Sequence, residues 1–528
     1  MPPTAEIESG RLEGLTRHAG RSGRRVAQFL AIPYAAPPVG PLRFRAPQPP
    51  IGWAGTRDAT RPGPAPMQSL DSPFSGVIPG SAIAAASEDC LTVDVWAPAE
   101  PGEYPVLVWM PGGAFLTGGS SLATYDGAGL AADENVVVVG VNYRLGAFGF
   151  GWFGEAIGDS NCGLRDQLAA LSWVKRNISA FGGNPGAVTA MGESAGAGAL
   201  LHLLASPESV GAVDRYILRS PGVDHTLYPD DVERVSTALL RRLSLSPGDV
   251  GALRTMDSDT LLQAQEAVVL EMMPVLSSMP FHPFVEGQFL PSSPSVAIAG
   301  GAGHAVDLMI SWTSDEMRLF PTPSANTVGI DGLVRWTRSL LTGRMGSDPG
   351  EERSRQLVDF YVDLLGGSAE GTDVWAAIST DGIMRLPARR IADAHAAGSG
   401  HTYATEFAWH GPAKEGEWDR GCFHAIDLPF TFGTLDVADW REFLQADKAG
   451  GDADEVASAL MHAHAQFAAS GEPGAPAGGA WPQYETSKRS TVVFDAPCRT
   501  DDDPLATIAQ AWDGLWTPAC RAPALDLS

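Results

Sequence analysis

The stretch Thr189 to Ala199, TAMGESAGAGA, constrains this chain more than any other. A short apolar run, Ala187 to Met191, reads as a buried strand. It breaks at Gly192-Glu193-Ser194-Ala195-Gly196 and continues into the small-residue, helix-forming Ala197 to Ala205. The pattern is strand, sharp turn, helix, with a serine at the apex. Such a turn strains the serine backbone, and a Cβ at Gly192 or Gly196 would collide with the neighbouring strand or helix. The serine hydroxyl is left at the carboxyl edge of a sheet, beside the N–H of Ala195 at a helix N-terminus. In a chain with 60 glycines the pattern G-x-S-x-G is weak by itself. Its flanks and the segments around it give it weight.

Those segments read as an α/β protein. Val106 to Met110 and Val136 to Val141 are near-continuous apolar runs, as strands buried on both faces of a parallel sheet require. Between them, Pro111-Gly112-Gly113-Ala114-Phe115 follows a strand directly, and residues without bulky side chains let N–H groups point at a ligand. Leu164, Leu168, Leu171, Val174 and Ile178 mark one face of a helix that stops at Gly182-Gly183. Further strands are expected within Ser87 to Trp96, at Tyr216 to Arg219, Val306 to Ile310, Thr402 to Ala408 and near Val492, with helices between. The alternation predicts one doubly wound, mostly parallel sheet with helices on both faces and long inserted loops, in a single domain over 1–528. Two loops stand out: a proline-rich one from Ile32 to Phe44, and residues 62–86, long enough to serve as a lid or gorge wall. Glu271 to Phe284, EMMPVLSSMPFHPF, fits a plastic apolar pocket as well as it fits plain core.

Composition excludes several classes. The balance of 36 basic to 62 acidic residues, a net charge of −26, makes nucleic acid an unsuitable partner. Solubility is the ordinary reading of that charge, and steering of cationic substrates the alternative. Met1 to Gly20 has no apolar signal region, and no window approaches eighteen consecutive apolar residues, so neither a signal peptide nor a membrane span is expected. Five scattered cysteines suggest reduced thiols in a cytoplasm. No HExxH or clustered Cys/His spacing suggests a metal, and no cofactor is expected.

A serine nucleophile needs a base, and the base an orienting acid. His202 lies within the nucleophile helix and reads as structural. His462 and His464 are two apart in a helical pattern and cannot share a face. His424, in a glycine- and proline-flanked loop late in the chain, fits the order serine, acid, histidine.

Several segments together resemble the type-B carboxylesterases, the family of bacterial para-nitrobenzyl esterases and animal cholinesterases. They are IPYAAPPVGPLRF from Ile32, SEDCLTVDVW from Ser87, GGAF from Gly112, NYRLGAFGF from Asn142 and GLRDQLAALSWVKRNISAFGGNP from Gly163. GESAGAGA from Gly192, TSDE from Thr313, FHAIDLPFTFG from Phe423 and WPQY from Trp481 complete the set, which spans residues 10 to 495. The resemblance implies an α/β-hydrolase fold and a serine carboxylesterase acting on a small-molecule ester. It makes Ser194 the nucleophile, His424 the general base and Glu316 its acid. It gives Gly113, Ala114 and Ala195 as oxyanion donors and Ser220 as support for the acid. The neighbouring Phe115, Met317 and Phe423 are expected to line the substrate pocket. The chain departs from the family at Pro111, where His or Tyr is usual, at Met317 in place of a glycine, and at Met67, where secreted members carry a cysteine that pairs with the one matching Cys90. Two other activities stay open: amide or carbamate hydrolysis at the same site, and a non-catalytic interaction protein of this fold. Relatives of the second kind lose the serine or the histidine, which this chain keeps. Acyl-chain length, leaving group and oligomeric state are left open.

Overall fold

Apolar runs of five to seven residues have no polar face to turn to water, so the strands they form must be covered on both sides. The computed structural model describes residues 2–515, apart from 71–75, 224, 247, 277, 321, 346, 413–418, 450–451 and 477–480. Part of the 62–86 loop and Cys520 lie outside the described residues. Eleven strands form the main sheet: β1 (Leu15–Ala19), β2 (Arg24–Pro33), β3 (Thr92–Pro98), β4 (Tyr104–Met110) and β5 (Val137–Val141) come first. They are followed by β6 (Gly183–Glu193), β7 (Arg215–Arg219), β8 (Asp307–Thr313), β9 (Thr402–Phe407), β10 (Ser490–Phe494) and β11 (Arg499–Asp502).

Their order is β11-β10-β9-β8-β7-β6-β4-β5-β3-β2-β1. From β5 to β10 every neighbour is parallel. β3, β2 and β1 add antiparallel strands at one edge, and β11 adds one at the other. Successive residues enter opposite cores, as a period of two demands. Val106, Val108 and Met110 of β4 pack on one face, and Leu107 and Trp109 on the other. Each such side chain, fully buried, contributes roughly 1.5–3 kcal/mol.

The predicted helix is α1 (Cys162–Asn177), with Leu164, Leu171 and Val174 buried as its spacing demands. Inside it, Asp166 takes two side-chain hydrogen bonds from Arg144, at 2.6 and 2.7 Å, with both residues buried. Helix α2 (Ala195–Ala205) buries every one of its residues beneath the sheet's carboxyl edge.

Four features were not expected from the sequence. Thr4–Ile7, Gly10–Glu13 and Thr56–Asp58 make a small separate sheet, and β11 is a mostly exposed polar strand. β3, whose sequence alternates like a half-buried strand, is covered on both faces because it sits between β5 and β2. The segment from Asp381 to Arg385 is a π-helical turn, a widened form that recurs at functional sites.

Candidate active site

β6 ends at Glu193 and α2 begins at Ala195, which leaves one residue to make the turn. That residue, Ser194, takes φ 54° and ψ −124°, a conformation that side chains disfavour. Hydrogen bonds hold it there. Its N–H donates to the Arg219 carbonyl at the tip of β7 (3.0 Å), and its own carbonyl accepts from Gly198 (2.8 Å). The flanking glycines are sterically required. A Cβ on Gly192 would lie 2.7 Å from the carbonyl carbon of Gly196, and one on Gly196 would overlap the Met110 carbonyl.

The loop after β4 turns back beside the serine. Gly113, Ala114 and Phe115 follow one another at positive φ (117°, 56° and 60°), and a turn of this kind aligns successive N–H groups. The Gly113 carbonyl accepts from Leu116 and Thr117, both at 3.0 Å, and the Tyr143 hydroxyl donates to the Pro111 carbonyl at 2.7 Å. Gly113, Ala114 and Ala195 line the same cavity as Ser194, while Pro111 stays out of it.

Glu316 opens a short turn after β8, and His424 lies in the loop after β9, the adjacent strand. Nδ1 of His424 is 2.6 Å from Oε2 of Glu316. The acid's other oxygen accepts the Thr313 N–H at 2.8 Å, and the His424 N–H donates to the Glu316 carbonyl at 3.0 Å. The neighbouring Asp315 takes a different partner: it accepts the Cys422 N–H (3.1 Å) and lies 3.8 Å from Arg318. Burial would raise the Glu316 pKa, but His424 and the surrounding donors outweigh it and hold the carboxyl below its usual range. Ser220, buried beside Glu316, adds to that lowering without closing a hydrogen bond of full geometry.

The sequence reading missed one site residue, Glu193. Its carboxyl stands 3.0 Å from Nε2 of His424, out of line for a hydrogen bond. Burial raises its pKa to about 7, against the pull of His424, with Asp427 and Glu316 pushing it further up. Burial alone would lower the His424 pKa, but Glu193 and Glu316 reverse the effect and push it up to about 9. Behind the pair, Asp427 is bonded by the buried Arg219, which also reaches Thr431. The position of Glu193 next to the serine was the one sequence signal that it belonged to the site.

The cavity is about 410 Å³ and mostly apolar. Phe115 and Met317 line it as expected, together with Met273 and Met279 of the methionine-rich segment and Ile383 and Met384 of the π-helical turn. Phe423 does not. It is buried in a separate core, 5.9 Å from the Phe443 ring, because neighbours in an extended loop face opposite ways and His424 takes the cavity side. His202 is structural, as read: its Nδ1 pairs with the Gly198 carbonyl (2.6 Å) and its Nε2 with Thr226 (2.8 Å). Met67 and Cys90 share the wall of a small cavity, and Cys90 is unpaired.

A doubly wound sheet whose central strand runs through a strained serine into a buried helix defines an α/β-hydrolase. A model of the carboxylesterase family matches residues 1–511, and the chain belongs to that family. It is a carboxylic-ester hydrolase. Para-nitrobenzyl esterase of Bacillus subtilis (strain 168) is 34% identical over 505 residues, 94% of this chain and 95% of that one. Phenmedipham hydrolase of Pseudarthrobacter oxydans is 31% identical over 478 residues, 88% of this chain and 90% of that one. Among solved structures, a carboxylesterase of Geobacillus stearothermophilus matches with a TM-score of 0.82 at 32% identity, covering 97% of this chain and all (100%) of its own. A thermophilic PNB esterase matches at 0.83 and 31% identity, with 97% and 100% covered.

Proposed function

We propose that this single-domain esterase works through an acyl-enzyme on Ser194. Ser194 attacks the ester carbonyl while Nε2 of His424 takes its proton, and Glu316 fixes the imidazole and stabilises its cation. The N–H groups of Gly113, Ala114 and Ala195 hold the tetrahedral oxyanion. His424 then protonates the departing alcohol, and a water that it deprotonates releases the acid. Ser220 supports Glu316. The observation that carries the reading is the 2.6 Å contact between Glu316 and His424, residues 108 positions apart, at a cavity that also holds the elbow serine.

An amide or carbamate would be opened by the same steps, and the likeness to a phenmedipham hydrolase is consistent with that second reading. The unpaired Cys90, Cys162, Cys422 and Cys498 support a reducing, cytoplasmic location. No described helix is long and apolar enough to cross a membrane.

The test is a phosphonylating reagent followed by mass spectrometry, with Ser194→Ala measured on an activated ester. The adduct belongs on Ser194, and the variant should lose roughly 10⁴-fold or more in kcat. An adduct elsewhere, or near-normal kcat without the hydroxyl, overturns the assignment.

A further inference from the structure

If Ser194 is acylated, His424 must stand on the leaving-alcohol side, because it delivers that group's proton. The acyl group then points away from His424, along α2. There Gly198, one turn beyond Ser194 and on the same helix face, leaves the cavity floor bare. Facing this floor is a run of flat rings. Phe115 meets His282 edge to face at 5.1 Å, and His282 stacks on His225 at 5.5 Å with 19° between planes. All three line the cavity.

The ring wall is held from behind. Leu227 donates to the Pro283 carbonyl and Val285 to the Leu227 carbonyl, each at 3.0 Å, which joins the two histidine-bearing segments. Asn161 brackets Phe284 with two bonds of 2.9 Å. The His225 ring rests against Gly222, where a Cβ would come within 2.7 Å of Nδ1. His282 is 2% exposed, and burial lowers its pKa to about 3, so its ring is neutral and presents a π face without charge. No lysine or arginine lines the cavity among the described residues, and its carboxylates are limited to Glu193, which His424 engages.

We propose that this arm is an acyl site for uncharged aromatic acids, so that preferred substrates carry a flat aryl group, benzoate being the simplest, on the carbonyl side of the ester. The proposal rests on the Ser194 reading and specifies its substrate class. An aryl ring attached to the acylated serine lies over bare Gly198 and meets the His282 and Phe115 rings in the offset or edge-on contacts that aromatic pairs favour. A Cβ added to Gly198 would meet only ordinary contacts, 3.7 Å to the Gly222 carbonyl and 4.0 Å to Phe115, so a methyl there narrows the slot without forcing the backbone.

The experiment compares kcat/KM for 4-nitrophenyl benzoate and 4-nitrophenyl acetate, which share a leaving group, and reads the benzoate-to-acetate ratio in each variant. The ratio should fall about three- to tenfold in His282→Leu, hold in His282→Phe, and fall roughly tenfold or more in Gly198→Ala. Inhibition of the wild type by boronic acids, which bond to the serine with their substituent on the acyl side, is a second readout that needs no variant. Benzeneboronate should bind about tenfold more tightly than methylboronate or better. Equal binding of the two boronates, or a ratio unmoved in both His282→Leu and Gly198→Ala, overturns the aromatic acyl site while leaving the esterase standing. A wild type that cleaves neither ester and is not labelled at Ser194 removes the underlying reading instead.

Discussion

Glu193 places its carboxyl 3.0 Å from Nε2 of His424, the ring nitrogen that Glu316 does not hold. The imidazole therefore sits between two carboxyls. Their negative potential outweighs its burial and raises its pKa to about 9. A general base acts in its neutral form, so a raised pKa moves the acid limb of the rate profile upward. That limb should lie above the ordinary imidazole value of about 6.5. Glu193→Gln keeps the shape and removes one charge, so the His424 pKa falls. The acid limb of kcat/KM should then move to lower pH by about one unit or more. A pH–rate profile of both proteins checks this, and an unmoved limb contradicts it.

Glu316 and Asp315 are adjacent carboxylates with separate tasks. Glu316→Gln leaves Nδ1 facing an amide that neither fixes the right tautomer nor stabilises the imidazolium. It should lose roughly 10²- to 10⁴-fold in kcat while remaining folded. Asp315→Asn keeps an oxygen to accept the Cys422 N–H, which is what Asp315 does in the structure, and should lose far less. Measuring kcat for both variants on one activated ester decides between them. If Asp315→Asn is the crippled one, the acid is the other residue.

The elbow stores strain that a glycine would not feel. A side chain at φ 54°, ψ −124° costs about 1–3 kcal/mol. Replacing Ser194 with glycine removes that cost and gives back part of it as chain entropy in the unfolded state. Ser194→Gly should therefore be inactive yet more stable than Ser194→Ala by about 1 kcal/mol, read as a higher urea midpoint. Equal midpoints would mean that the turn is relaxed.

Arg144 and Asp166 are paired with side chains only 3% and 0% exposed. Asp166→Ala leaves the guanidinium buried without its partner and should cost about 3–5 kcal/mol in denaturant unfolding. Replacing both residues with apolar side chains of similar volume should recover most of that loss. A double variant no better than the single would show that the guanidinium's other contacts dominate.

How far the sequence could be read depended on how local the cause was. The elbow is written in the chain because glycines must flank its serine, and a Cβ on Gly196 would overlap the Met110 carbonyl. The core strands were legible from runs such as Val137–Val141, which bury every residue. Thr4–Ile7 and β11 were not: each is a four-residue, largely polar strand that pairs with the strand next to it in the chain, too short and too exposed to leave a hydrophobic pattern. Residue types alone did not separate Glu316 from Asp315; the family resemblance did, and the contacts to Nδ1 and to Cys422 agree with it. Phe423 was misplaced because a residue beside a site residue need not face the site. Glu193 and the ring wall were missed for a related reason: side-chain direction and the meeting of His225 with His282 are properties of the packed molecule.

The loops that carry Glu316 and His424 are fastened to each other by short main-chain links. Asp315 donates to the Cys422 carbonyl (3.0 Å) and His424 to the Glu316 carbonyl (3.0 Å), while β8 and β9 run in register beneath them. The geometry of acid and base is therefore set locally, whatever path the chain takes between them. That path holds the helix Glu351–Leu364 and the helical stretch Ala325–Met345, broken at Gly329, neither of which hydrogen-bonds to Glu316 or His424 among the described residues. Evolution or an engineer can thus rebuild this one region, and with it the cavity wall at Leu340, Ile383 and Met384, as an interchangeable part.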